Sequence, residues 1–240
     1  MYNRIPAIFY KVIIDQSVCF CYIIIDRSVY NRNEENSLKK SEKTERTKDK
    51  ILSAAVREFG LKGYDAGSIN HICNESGISK GLIYHNYQSK DEIYLCCVEY
   101  VLQHFTDYIK QNINWEANEY MQLRFRFFSE NPLFARIFFE AVLQPPKHLA
   151  EQIKKRKQEL NQLNLNIYRS SLKGITLRAG VTEQEAVEYY SMMQEMFNGY
   201  FSSLSYSGTD FMAVMADHES KLAKILDFML YGIAKEENTK

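Results

Sequence analysis

The chain has no uninterrupted apolar run of the ~18–20 residues a membrane-crossing helix requires. In its most apolar stretch, residues 1–37, Lys11, Asp15, Gln16 and Asp26 break every run. The same interruptions, and the want of a small-residue cleavage site, argue against a secretory signal. No CxxC pair and no Cys/His cluster with structural-zinc spacing occurs among Cys19, Cys21, Cys73, Cys96 and Cys97, so no metal is expected. These cysteines read as small apolar residues of a reducing cytosol, with a redox role for adjacent Cys96 and Cys97 as the sharper alternative. There is no Gly-rich phosphate loop, HExxH or GxSxG. The five histidines, His71, His85, His104, His148 and His218, stand singly. Catalysis and a cofactor are therefore not expected. Net charge is also absent, at +0 over 240 residues.

That zero hides a division along the chain. Residues 38–90 carry ten Lys and Arg against six Asp and Glu, while residues 91–240 carry sixteen against twenty. A basic excess confined to one segment is the electrostatic footprint that phosphate contact requires. That segment contains residues 68–90, whose pattern is the most specific in the chain. Ile69, Ile72 and Cys73 share one helical face, Ser68 is placed to cap that helix, and Gly77 supplies a left-handed turn. Ser79 opens a second short helix with Ile83 and Tyr87 inward. Gly81, Leu82 and His85 lie on its opposite face, flanked by Lys80 and Tyr84. A small, aromatic and basic outer face is poorly explained by core packing and well explained by insertion in a DNA major groove.

Together, Ser68, Ile72-Cys73, Ser76-Gly77-Ile78-Ser79, Gly81, Tyr84, Tyr87, Lys90 and Ile93 resemble the DNA-binding domain of the TetR family of transcriptional regulators. Ile51, Leu52, Ala55 and Phe59 fit its first helix, which ends at Gly63-Tyr64. The resemblance implies an all-α chain. A three-helix DNA-binding domain at 38–90 with its helix-turn-helix would be followed by a helical effector-binding and dimerisation domain at 91–240. It implies DNA contacts at Ser68, Ser79, Lys80, Gly81, Leu82, Tyr84, His85 and Lys90. Leu82 stands where many relatives are polar and Asn86 replaces a frequent histidine, departures that bear on sequence preference rather than fold. The partners so implied are a palindromic duplex operator, a second copy of the chain and a small effector, in a cytoplasmic, ligand-responsive repressor that can act on its own gene. An architectural DNA-binding protein would be more basic and would lack the large apolar second part; a helical small-molecule enzyme would need a catalytic motif.

Beyond residue 90 every segment reads as helix. Ser89 to Glu92 and Thr182 to Glu185 have the spacing of capping boxes, and Asn131-Pro132 is a start signal. One long charged helix is expected over 147–173, and a last one from Gly208-Thr209 to about Lys235. The final two helices are apolar over more than one face. The resemblance implies that they pair with their copies, through Phe197, Phe201, Leu222, Ile225, Phe228 and Met229. Met121, Phe125, Phe128, Phe138, Tyr168 and Met193 are the expected lining of an apolar effector pocket.

Residues 1–37 form an atypical extension, followed at 38–48 by what reads as a charged, flexible arm. Ile14-Asp15-Gln16-Ser17-Val18 recurs eleven residues later as Ile25-Asp26-Arg27-Ser28-Val29. The second copy with Tyr30 can be encoded as ATA-GAC-CGA-TCG-GTC-TAT, its own reverse complement. The expectation is that this segment is translated operator DNA upstream of a mis-assigned start. Leu38 would then be the true start, and Glu34-Glu35 would be encoded by a ribosome-binding GAG-GAG.

Overall fold

The computed structural model describes residues 32–115, 117–203 and 210–232. The extension that carries the repeat, and the expected bounds of the last helix at Gly208-Thr209 and Lys235, lie outside them. Contacts divide the described residues into two units that part between Thr47 and Lys48. In the first, residues 32–47 are helical. The charged arm expected at 38–48 is thus helix instead. Lys and Glu are good helix formers, and Thr47 returns its hydroxyl to the Lys43 carbonyl at 2.8 Å, within the helical ladder.

The elements are α1 Arg32–Ala66, α2 Ile69–Ser76, α3 Lys80–Asn86, α4 Lys90–Asn112, α5 Ala117–Glu130 and α6 Pro132–Leu143. After a 3-10 turn at Lys147–Leu149 come α7 Ala150–Arg156, α8 Gln158–Leu172, α9 Glu183–Phe201 and α10 Phe211–Gly232. No strand occurs among the described residues, and no helix there is long and apolar enough to cross a membrane. The helix expected over 147–173 is broken at Lys157, whose ψ of −1° turns the chain. Ile153 before the break and Leu160, Leu163 and Ile167 after it are all buried.

The long α4 is the axis of the 48–240 unit. Its i+4 stripe of Ile93, Cys97, Val101, Phe105 and Ile109 is wholly buried and packs on α5, α6, α7 and α8. Ser89 caps it by accepting from the Glu92 N–H at 3.2 Å. The Glu92 carboxylate accepts from the N–H of Gln88 rather than of Ser89, so this capping box is half formed. At α9 the Thr182–Glu185 box is complete.

Around Phe105 the rings of Phe127, Phe128 and Phe138 lie with centroids 5.0–5.3 Å away. One charge sits among them. The Arg124 guanidinium is 5.4 Å from the centroid of Phe105 and 5.5 Å from that of Phe138. It forks onto Glu219 of α10 at 2.9 and 2.6 Å and donates to the Tyr120 hydroxyl at 3.0 Å. Tyr120 donates in turn to Asn164 of α8 at 2.6 Å. Buried His218 faces Glu219 at 3.0 Å and Asn198 of α9 at 3.2 Å. Burial holds its imidazole below the ordinary histidine range, against the opposing pull of Glu219. Four helices are thus tied by one buried polar network.

A second tie holds α1 to α6. Gly63 has φ 75°, breaking α1 and releasing the next amide from the helical ladder. The Tyr64 N–H donates to both Glu140 carboxylate oxygens, at 3.0 and 3.1 Å, and the Tyr94 hydroxyl donates to Oε2 at 2.9 Å. Tyr64 also donates its hydroxyl to Asp91. Burial pushes the Glu140 carboxyl above the ordinary range, and these hydrogen bonds oppose it. A Cβ on Gly63 would lie 2.9 Å from Glu140 Oε1 and 3.1 Å from Arg136 Nη2. Gly63→Ala therefore combines backbone strain with a clash at this joint. It is expected to lower stability by about 1–3 kcal/mol, read as a fall in denaturation midpoint.

Candidate nucleic-acid interface

The α2–α3 turn follows from local chemistry. α2 ends where Gly77 adopts φ 66°, ψ 23°, the left-handed conformation that closes a helix without a Cβ penalty. The Ser76 hydroxyl donates back to the Ile72 carbonyl at 2.6 Å, and half-buried Ile78 plugs the corner. Ser79 then caps α3, its hydroxyl accepting from the Leu82 N–H at 3.4 Å. Ile72 and Ile83 are fully buried beneath the two helices, and Tyr87 is buried at the end of the second.

Ser68 departs from expectation. It occupies the N-cap of α2, but its hydroxyl makes no capping bond. The cap comes instead from Glu58 of α1, whose carboxylate accepts from the Ser68 N–H at 3.0 Å and contacts Lys62 and His71 at 3.0 and 3.1 Å. A carboxylate at a helix N-terminus does the same electrostatic work as a hydroxyl cap. Burial would raise Glu58, but the partners outweigh it and its carboxyl lies below the usual value.

The outer face of α3 is open. Ser79, Lys80, Gly81 and His85 are exposed, and Leu82 and Tyr84 remain 43% and 46% exposed. A Cβ added at Gly81 would meet nothing within 4 Å, and Gly81 has no positive φ. The fold of this chain therefore does not require glycine there. Leu82, an apolar side chain on that same surface, likewise has no packing role to explain it. Lys90 is half-buried, donating to the Asp65 carbonyl at 3.2 Å with its ammonium 4.5 Å from the Tyr64 ring centroid. It fastens α4 to the end of α1, a role its sequence position did not suggest.

Residues 51–96 match the family described as "Bacterial regulatory proteins, tetR family". Residues 51–96 are thus a tetR-type regulatory domain. Among curated relatives, the negative transcriptional regulator IcaR of the biofilm operon icaADBC from Staphylococcus epidermidis is 31% identical over 117 residues, covering 48% of this chain and 63% of that protein. Its counterpart from Staphylococcus aureus strain Newman is 28% identical over 120 residues, with the same coverages. The chain thus spans under two thirds of the length of the curated relatives it matches. Among solved structures, a TetR-family regulator from Cytophaga hutchinsonii aligns with TM-score 0.54 at 14% identity, covering 81% of this chain and 98% of that one. The fatty acid degradation regulator FadR from Bacillus halodurans gives 0.53 at 16% identity, covering 77% and 98%. At such identities these two likenesses speak to the tetR fold alone.

The positions expected to line a pocket are not all inside. Phe128, Phe138, Tyr168 and Met193 are buried and Met121 is half-buried, but Phe125 is 74% exposed. The i+3 neighbour Phe128 takes the inward position, and the helical period turns Phe125 to the surface. The buried Phe rings fill the space between them. Tyr168 differs: it stacks on Tyr190 at 4.2 Å, and its buried hydroxyl has no hydrogen-bond partner. Of the positions expected between copies, Phe228 is 79% exposed and Phe197, Ile225 and Met229 are partly buried. Phe201 and Leu222 are enclosed within their own chain, Phe201 completely, and so present no surface. The outward apolar face of α9 is instead Tyr189, Met192, Met196 and Tyr200, between 50% and 70% exposed. Their spacing of three, four and four is one helical stripe, a signal already in the sequence.

Proposed function

We propose that this chain is a transcriptional repressor that binds a palindromic duplex as a homodimer, with the outer face of α3 in the major groove. The observation that carries the reading is the open face of Lys80, Gly81, Leu82, Tyr84 and His85, left unneeded by the fold within a tetR-family domain. The negative regulatory role stated for the IcaR relatives supports repression. Tyr84, His85 and the free Ser68 hydroxyl suit phosphates, which set register without reading sequence. Lys80 suits a guanine edge or phosphate, Leu82 a thymine methyl, and Gly81 allows close backbone approach. Ser79 holds the start of the helix.

The second copy docks on the exposed stripes of α9 and α10. A lone seven-residue helix reads too few base pairs for useful specificity, so twofold pairing is a physical requirement of the reading. The buried, unpartnered Tyr168 hydroxyl beside Met193 and Tyr190 supports a small, largely apolar effector that brings one hydrogen-bond acceptor. Such a ligand releases DNA by favouring a conformation whose α3 pair no longer matches the operator.

Mobility-shift titrations of two variants over a series of single-base operator changes test the DNA roles. Lys80→Ala should weaken binding by roughly 10- to 100-fold and reduce the slope against salt. Leu82→Ala should keep that slope and relax preference at one base pair per half-site. Both variants binding as the parent does would remove α3 from the interface.

A further inference from the structure

Residues 14–30 have no part in the reading above, yet their repeat has a property that peptide chemistry does not explain. In a palindromic coding segment, residues equidistant from the centre must have reverse-complementary codons. Tyr30 is encoded by TAT or TAC, which admits only Ile or Val five positions earlier; residue 25 is Ile. Asp26, by GAT or GAC, admits only Ile or Val at 29; residue 29 is Val. At the centre, Arg27 and Ser28 are compatible through CGA-TCG or AGA-TCT. All three nested pairs meet the condition. The six residues permit only two perfect palindromes of 18 base pairs, ATAGACCGATCGGTCTAT and ATAGACAGATCTGTCTAT.

We infer that the DNA encoding residues 25–30 is an operator of this protein, an 18-base-pair palindrome read by the α3 pair. The inference rests on the duplex-binding function proposed above. Each nine-base-pair half is centred nine base pairs from the other, just short of a helical turn of ~10.5, the geometry two symmetry-related recognition helices address. Guanine edges in GAC and GTC suit Lys80, and the thymines offer methyls to Leu82. The earlier copy keeps the Asp15–Val18 pair, encodable as GAC and GTC, but Gln16–Ser17 and Ile14–Cys19 cannot be reverse-complementary. It is a degenerate second site. Eleven codons set it 33 base pairs away, close to three helical turns, so both sites present the same side of the duplex. A dimer seated there obstructs transcription of its own gene.

Anisotropy titrations of the full chain on duplexes bearing each palindrome, and on a scramble of equal composition, test this at near-physiological salt. One palindrome should bind at least about a hundredfold tighter than the scramble. On the natural gene segment, nuclease protection should appear first at codons 25–30 and then 33 base pairs upstream. Palindromes bound no better than the scramble, while a random duplex library yields another sequence, overturn the operator and leave the repressor standing. Failure to select any duplex from the library overturns the repressor as well. Codons in the gene matching neither palindrome overturn the operator outright.

Discussion

Glu219→Ala is expected to destabilise the chain by about 3–5 kcal/mol, because it strands the Arg124 guanidinium inside the aromatic core. Arg124 is only 4% exposed and its fork ends on that one carboxylate. Against a typical domain stability of about 5–15 kcal/mol, this loss is a large fraction of the whole. Chemical denaturation gives the number. The double variant Arg124→Met/Glu219→Leu separates buried charge from packing: it should recover most of the loss, since the apolar pair leaves nothing unpaired. A double variant as unstable as the single would place the effect in shape rather than charge.

The same pair sets an acid limit. Burial alone would raise the Glu219 carboxyl, but the Arg124 charge and the His218 hydrogen bond outweigh it and hold it at about 2. A carboxyl depressed on folding contributes stability that is fully present above its unfolded value of 4.5 and is lost as pH falls toward about 2. Stability of the parent should therefore decline through that window, and the double apolar variant should decline less.

Met196→Asp combined with Phe228→Asp is expected to dissociate the homodimer proposed above and, with it, to lower affinity for the proposed operator by about a thousandfold or more. These side chains are 70% and 79% exposed, so the substitutions leave the core of one chain intact. Charge placed at the centre of an apolar pairing must be desolvated on association, which is costly without a partner. Sedimentation should show monomers at micromolar concentration with unchanged helical content. A dimer that persists would remove α9 and α10 from the interface.

The helices were legible because each rests on a local rule. The α4 stripe at i+4, the glycine corner at Gly77, the Ser79 cap and the Thr182–Glu185 box require only neighbours within a turn or two. The outer face of α3 was legible for the same reason: once Ile83 and Tyr87 point inward, the helical period leaves Leu82 out. What escaped were contacts between segments far apart in sequence. Arg124 to Glu219 spans 95 residues and Tyr64 to Glu140 spans 76, and no periodicity links such pairs. The same holds at the start of α2, where a carboxylate ten residues back accepts from the Ser68 amide and the Ser68 hydroxyl makes no cap.

Order along the chain thus decided where helices start, stop and turn, and which face of α3 looks outward, because hydrogen bonding and side-chain period act within a few residues. Packing decided which aromatic residues are core and which are surface. It placed Phe201 inside and Met196 outside on one helix, and fastened α1 to α6 through the Glu140 carboxylate. A wide apolar helix has more than one face to bury, and only the positions of its neighbours determine which face remains for a partner.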